Sequence, residues 1–239
     1  MQHRPVILAI ETTGPLASVA LSGFPELVNQ THYSHLEESA PMVKEILAAS
    51  GVDPADLDAI AVSRGPGSFT GIRIGMATAK AFAQVWNKPM ICVPTLATFA
   101  FSDAAQGDGL LVCPLFDARR SQIYAGVYAP GNRDALLPDA AYDVPDYLAK
   151  LSALCTEGRT CLFFGDGCDA YREVLEESGL PHAFAPEEHR FQKAYAVLRL
   201  AEQLHAEGQL TDCYHAQPEY LRLAEAERKL KAGELRRMP

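Results

Sequence analysis

The sequence predicts an α/β fold built on mixed sheets, and three observations carry that expectation. Short apolar runs (Val6 to Ile10, Ala59 to Ser63, Met90 to Val93, Leu110 to Phe116) have the length of buried strands. Longer stretches of helical period lie between them. Each half also opens with a strand, a short turn holding an acidic residue (Glu11 or Asp117) and a second strand, and such hairpin-like connections followed by helices suggest a mixed sheet, not a purely parallel one.

In order, Val6 to Ile10, Ala17 to Leu21 and Leu27 to Tyr33 read as three strands. Ser34-His35-Leu36-Glu37 has capping-box spacing, and Gly51 suits a C-terminal stop, so a helix is expected between them. Pro41 should kink its first turns or move its start later. Its apolar residues form two stripes, Leu36, Ala40, Val43 and Leu47 on one, Met42, Ile46 and Ala49 on the other, where a helix at a domain edge needs only one. After the strand Ala59 to Ser63 come Gly65-Pro66-Gly67, a tight turn, and Ser68 or Thr70 as the cap of a helix reaching about Trp86. That helix places a small residue at every fourth position: Gly71, Gly75, Ala79 and Ala83. Interior glycines cost about 1 kcal/mol each relative to alanine, so close helix packing is the expected compensation.

Asp103 to Gly109 marks the boundary between a first domain, 1–106, and a second, 107–239. In the second, strands are expected at Leu110 to Phe116, Gln122 to Tyr128 and Cys161 to Phe164, and helices at Asp143 to Leu154, about Ala170 to Ser178 and about Lys193 to Gly208. A mixed-charge stretch follows Pro218 and reads as a solvated helix or tail, with the segment from about 214 onward expected to pack back on the first domain.

Composition narrows the function. The 239 residues are 48% hydrophobic and 21% charged with a net charge of −9, ordinary for a soluble globular protein and poor for direct binding of nucleic-acid phosphates. No apolar run approaches the length of a membrane span, and a cytoplasmic protein is expected. The six cysteines include no Cys-x-x-Cys pair and read as free thiols.

A strand, a glycine-rich turn and a helix N-terminus in succession suggest an anion cradle. It is not a Walker A loop, because Ile72 follows Gly71 where that motif requires lysine. Nor does Ser68 sit in a Gly-x-Ser-x-Gly nucleophile elbow. Ile10-Glu11-Thr12-Thr13-Gly14, Gly65-Pro66-Gly67-Ser68-Phe69-Thr70-Gly71-Ile72-Arg73, Asp117-Ala118-Arg119-Arg120-Ser121-Gln122-Ile123-Tyr124, Gly165-Asp166-Gly167 and Pro218-Glu219-Tyr220-Leu221-Arg222 occur in this order. Together they resemble the TsaB (YeaZ) family of bacterial tRNA-modification proteins.

The resemblance implies the actin/Hsp70/sugar-kinase (ASKHA) fold in two lobes. It also implies a scaffold or activator that dimerises with the transferase TsaD in forming N6-threonylcarbamoyladenosine beside the anticodon of ANN-decoding tRNAs. TsaE is a further expected partner and TsaC a pathway link. A homodimer is expected in isolation, with tRNA reached only through the complex. TsaD relatives carry a His-x-x-x-His metal site, whereas the matching stretch here offers Thr95 and Phe99, so neither catalysis nor a metal is expected. His32 and His35 read as surface or capping residues. Gly65, Pro66, Gly67, Ser68 and Thr70 form the structural loop. Met42, Ile46, Ala49, Gly71, Gly75, Met76 and Ala79 are expected at the partner interface. Glu11, Thr12, Thr13 and Arg119 are expected as a vestigial nucleotide or anion site, with no cofactor unless ATP or ADP binds at the partner interface. The alternatives are an ATP-dependent ASKHA phosphotransferase and a nucleotide-binding regulatory module.

Overall fold

The protein is described as a computed structural model covering residues 4–29, 31–32, 34–156 and 158–221. The mixed-charge tail expected after Pro218 lies outside these residues from position 222 onward.

The chain builds two five-stranded sheets. The first uses β1 (Ile7–Glu11), β2 (Ser18–Leu21), β3 (Leu27–Val28), β4 (Ala59–Gly65) and β5 (Met90–Pro94), in the order β3-β2-β1-β4-β5. The second uses β6 (Leu110–Arg119), β7 (Gln122–Val127), β8 (Leu137–Asp143), β9 (Thr160–Phe164) and β10 (His182–Phe184), in the order β8-β7-β6-β9-β10. Read from the meander edge, the two orders are the same. In each, the first strand pairs antiparallel with the second and parallel with the fourth. The chain thus carries two copies of one meander-plus-crossover sheet. Strands β8 and β10 carry weak apolar patterns and were not expected, and β3 is far shorter than the Leu27 to Tyr33 run.

Helices α1 (His35–Ser50), α2 (Phe69–Trp86), α3 (Thr95–Thr98), α4 (Val144–Leu154), α5 (Gly167–Ala170), α6 (Arg172–Glu176), α7 (Glu187–Arg190) and α8 (Ala194–Ala206), with short 3₁₀ turns at Pro54–Asp56 and Phe99–Phe101, complete the described elements. The helix expected over Ala170 to Ser178 is therefore two short ones. Pro41 is accommodated inside α1, which still begins at His35. Gly51 closes it in the left-handed conformation, but the capping box does not form. Ser34 Oγ donates to Thr31 O (2.9 Å) and accepts from Asn29 Nδ2 (2.8 Å), so a tertiary partner takes the hydroxyl that the local motif would use.

Burial explains why the strands lack polar alternation. On the first sheet Leu8, Ile10, Val19, Leu21, Ile60 and Val62 pack with Met42, Val43, Ile46 and Met76 of α1 and α2. The opposite face (Ile7, Ala9, Ala20, Ala59, Ala61) joins Val197, Leu200, Ala201 and Leu204 of α8 in a central core. Val112, Phe116, Leu162 and Phe164 reach that core from the second sheet. The first sheet is thus covered on both sides, and one of its two layers comes from residues the sequence boundary assigns to the second lobe. The carboxylate of Glu26 accepts the Tyr195 N–H (3.0 Å) at the start of α8, an N-terminal cap supplied from the first lobe. The outer face of the second sheet forms a separate core with α4 through Tyr147 and Leu151.

Candidate functional site: a filled cradle beside an open helix face

The site grows from the turn after β1. Glu11 is fully buried, and its carboxylate accepts short hydrogen bonds from Ser63 Oγ and the Thr13 N–H. Burial raises its pKa, while those bonds act in the opposite direction. Thr12 and Thr13 are equally buried, at 1% and 3% exposure. The Thr12 hydroxyl donates to Gly71 O (2.8 Å), and Thr13 O accepts the Ser68 N–H (2.9 Å). Ser68 caps α2 as expected, accepting the Gly71 N–H at 3.2 Å.

This packing accounts for the small-residue stripe. A Cβ added at Gly71 would collide with the Thr12 carbonyl, and one at Gly75 with the Thr12 hydroxyl. The interior glycines of α2 therefore let its first two turns settle onto the β1–β2 turn of the same chain. The expectation that they await a partner helix is corrected. Gly71, Gly75, Met76 and Ala79 are buried within the first lobe, as are Met42 and Ile46, at 5% and 3% exposure. Of the seven residues expected at the interface, only Ala49 is exposed. What α1 and α2 present outward is a different set. Leu36 is 75% and Val85 79% exposed, and Val85 continues an exposed row through Arg73, Ala77 and Ala81 at four-residue steps.

The other sequence-defined positions are spread around this turn. In the structural loop, Gly65 and Gly67 take φ of 120° and 156°, which side chains rarely adopt, and the Gly65–Pro66 bond is cis. Thr70 is exposed in the first turn of α2. Glu219 N–H donates to Arg64 O (2.7 Å), Arg64 pairs with the Glu219 carboxylate (2.8 Å), and Tyr220 lies 5.3 Å from the Phe69 ring. Arg119 does not join the buried turn. Its side chain is 86% exposed and pairs with Asp117 at 3.3 Å. Asp117 also accepts from the Tyr171 hydroxyl (3.3 Å), and its N–H donates to Asp166 (3.1 Å), tying the second turn to the Gly165-Asp166-Gly167 loop. Burial raises the Asp166 pKa.

Sequence reasoning missed the segment that links these turns. Arg190 O accepts the Gly165 N–H at 2.8 Å, and the side chain of Gln192, 7% exposed, packs on Gly14. One short segment thus touches the first-lobe turn and the second-lobe glycine loop, with no periodic pattern to announce it. His35, read from the sequence as a surface or capping residue, is instead buried at 3% exposure. Its Nε2 is bonded to Gly14 O at 2.9 Å, and burial lowers its pKa. Among the described residues no group of three or more His, Cys, Asp or Glu could hold a metal. Thr95 Oγ1 accepts the Gly65 N–H (3.1 Å), and Phe99 packs against Phe116 and Phe164 with ring centroids 5.8 and 5.2 Å away. Where a histidine pair would sit, this chain has a loop-fixing hydroxyl and a core aromatic.

Residues 23–230 match the family profile TsaD, tRNA N6-adenosine threonylcarbamoyltransferase. The chain is 32% identical to the tRNA threonylcarbamoyladenosine biosynthesis protein TsaB of Bacillus subtilis, over 93% of this chain and 96% of that protein. It is 33% identical to the Escherichia coli protein of the same name, over 95% and 99%. The chain belongs to the TsaB family. The family takes part in tRNA threonylcarbamoyladenosine biosynthesis. In three dimensions this TsaB-family chain is similar to YeaZ from Pseudomonas aeruginosa, with a TM-score of 0.73 at 26% identity, covering 90% of this chain and 99% of that one. No helix among the described residues is long and apolar enough to cross a membrane.

Proposed function

We propose that this TsaB-family protein is a non-catalytic subunit that docks onto the transferase TsaD and biases it toward its competent conformation. The observation that carries the reading is the filled cradle. The space in which a phosphate would meet backbone amides is taken by Thr12 and Thr13, packed against Gly67, Gly71 and Gly75. A phosphoryl group needs close backbone approach and a cation site, and Thr95 and Phe99 supply neither a metal ligand pair nor an acid. The open face of α1 and α2, led by Leu36 and Val85, is the surface we assign to TsaD, replacing the buried residues expected from sequence. Docking would act through contacts that differ between two states of the transferase. We assign the isolated chain no cofactor, TsaE a role on the assembled pair, and tRNA contact to the complex.

The test is threonylcarbamoyl transfer reconstituted with TsaC, TsaD and TsaE, with and without this chain. Leu36→Glu combined with Val85→Glu should abolish co-elution with TsaD and lower transfer at least tenfold. The unfolding midpoint should hold, because both side chains already face solvent. Full activity without this chain would overturn the assignment, as would transfer or ATP hydrolysis by this chain alone.

A further inference from the structure

Cys155 and Cys161 stand where α4 ends and β9 begins, six residues apart in sequence. Their sulfurs are 3.7 Å apart, with the Cys161 thiol directed at Cys155 Sγ. Both are free thiols with sharply different access, since Cys155 is partly exposed and Cys161 fully buried. Behind Cys161 lies Cys113 on the neighbouring strand β6, so three sulfurs run from the outer core of the second lobe toward its surface. Arg159 closes the same corner. Its carbonyl accepts from Cys155 Sγ at 3.2 Å, and its guanidinium donates to Leu154 O.

The geometry points to Cys155 and Cys161 as a dithiol exchange site that reacts with a low-molecular-weight disulfide, Cys155 as the entry thiol and Cys161 as the resolving thiol. Side-chain hydrogen bonding with Cys113 first, and with Cys155 to a lesser extent, lowers the Cys161 pKa against its burial. Burial first, and the hydrogen bond from Cys161 second, push the Cys155 thiol up to about 11, so the entry thiol reacts through a small thiolate fraction that grows as pH rises. Once Cys155 is deprotonated, with the Cys161 thiol still directed at it, the Cys155 thiolate attacks one sulfur of the incoming disulfide. A new S–S bond forms, the incoming S–S bond breaks, and one small thiolate leaves. Cys161 then loses its proton to solvent, and its thiolate attacks Cys155 Sγ, expelling the second small thiolate. Two protein thiols are oxidised and one external disulfide is reduced to two thiols. Closure brings the sulfurs from 3.7 Å to about 2.0 Å, within reach of side-chain rotation at a helix end. Cys113, fully buried with its thiol pushed up by burial, supports the resolving sulfur and does not meet the oxidant.

The experiment exposes the folded full-length chain to oxidised glutathione, quenches with an alkylating agent at intervals, and maps the non-reduced peptides by mass spectrometry. The expected result is a transient glutathione adduct on Cys155, replaced by a Cys155–Cys161 cross-link. In Cys161→Ser the adduct should persist, and in Cys155→Ser Cys161 should stay fully reduced while the chain remains folded by circular dichroism. The wild-type time course needs no variant to fold. An adduct on wild-type Cys155 that never closes would overturn the proposal. So would consumption of the oxidant at Cys92 or Cys213 with Cys155 and Cys161 both still alkylated.

Discussion

The two lobes repeat one sheet topology, yet their first turns have gone opposite ways. After β1, Glu11, Thr12 and Thr13 are buried, and every hydrogen bond described for them stays within the first lobe. After β6, Arg119, Arg120 and Ser121 follow one another at φ of 65°, 57° and 60°, and Arg119 is open to solvent. Three successive left-handed non-glycine residues have a cost that a phosphate-binding turn avoids with glycine. The comparison teaches that one sheet topology, used twice, can carry two differently built turns. In the first lobe the turn is a packing joint for α2. In the second it is a surface hairpin fixed by Asp117, Asp166 and Tyr171.

The sharpest way to break this contrast is to overfill the buried joint. Gly75→Leu places a side chain against the Thr12 hydroxyl and Val62, and we expect a loss of more than about 3 kcal/mol or failure to fold, read from urea unfolding. Substitution there cannot serve as a clean interface variant. A middle-sized effect is expected from charge. The folded-state pKa of Glu11 lies above its ordinary 4.5 because of burial. Its contribution to stability is therefore fully present below that ordinary value and is lost as pH rises through the folded value. Glu11→Gln should flatten this fall in a pH series of unfolding free energies, and an unchanged slope would show that the carboxylate is solvated. The smallest effects belong to the exposed turn. Arg119→Ala should change stability by less than about 1 kcal/mol, because a solvent-exposed ion pair is weak. Ser121→Gly should be near neutral or slightly stabilising, since it relieves a left-handed conformation while loosening the unfolded chain.

Much of the fold was legible because its signals are local. Apolar runs marked the central strands, Gly51 marked the end of α1, and Ser68 marked the start of α2. The site was less legible wherever one sequence pattern serves two physical purposes. Glycine every fourth residue signals close approach, but not whether the neighbour is another chain or the turn after β1. Two apolar stripes on α1 likewise did not reveal which one the first lobe itself covers. Ser34 had the right spacing for a cap, but Asn29 took its hydroxyl. Gln192 gave no signal at all, because its contact with Gly14 depends on how two distant halves meet.

That meeting has a consequence for synthesis. Because α8 supplies the second cover of the first sheet, the face of Ile7, Ala9, Ala20 and Ala61 stays unprotected until residues 194–206 have left the ribosome. The lobe that is made first is finished almost last. A chain truncated near residue 106 would carry an uncovered apolar sheet face.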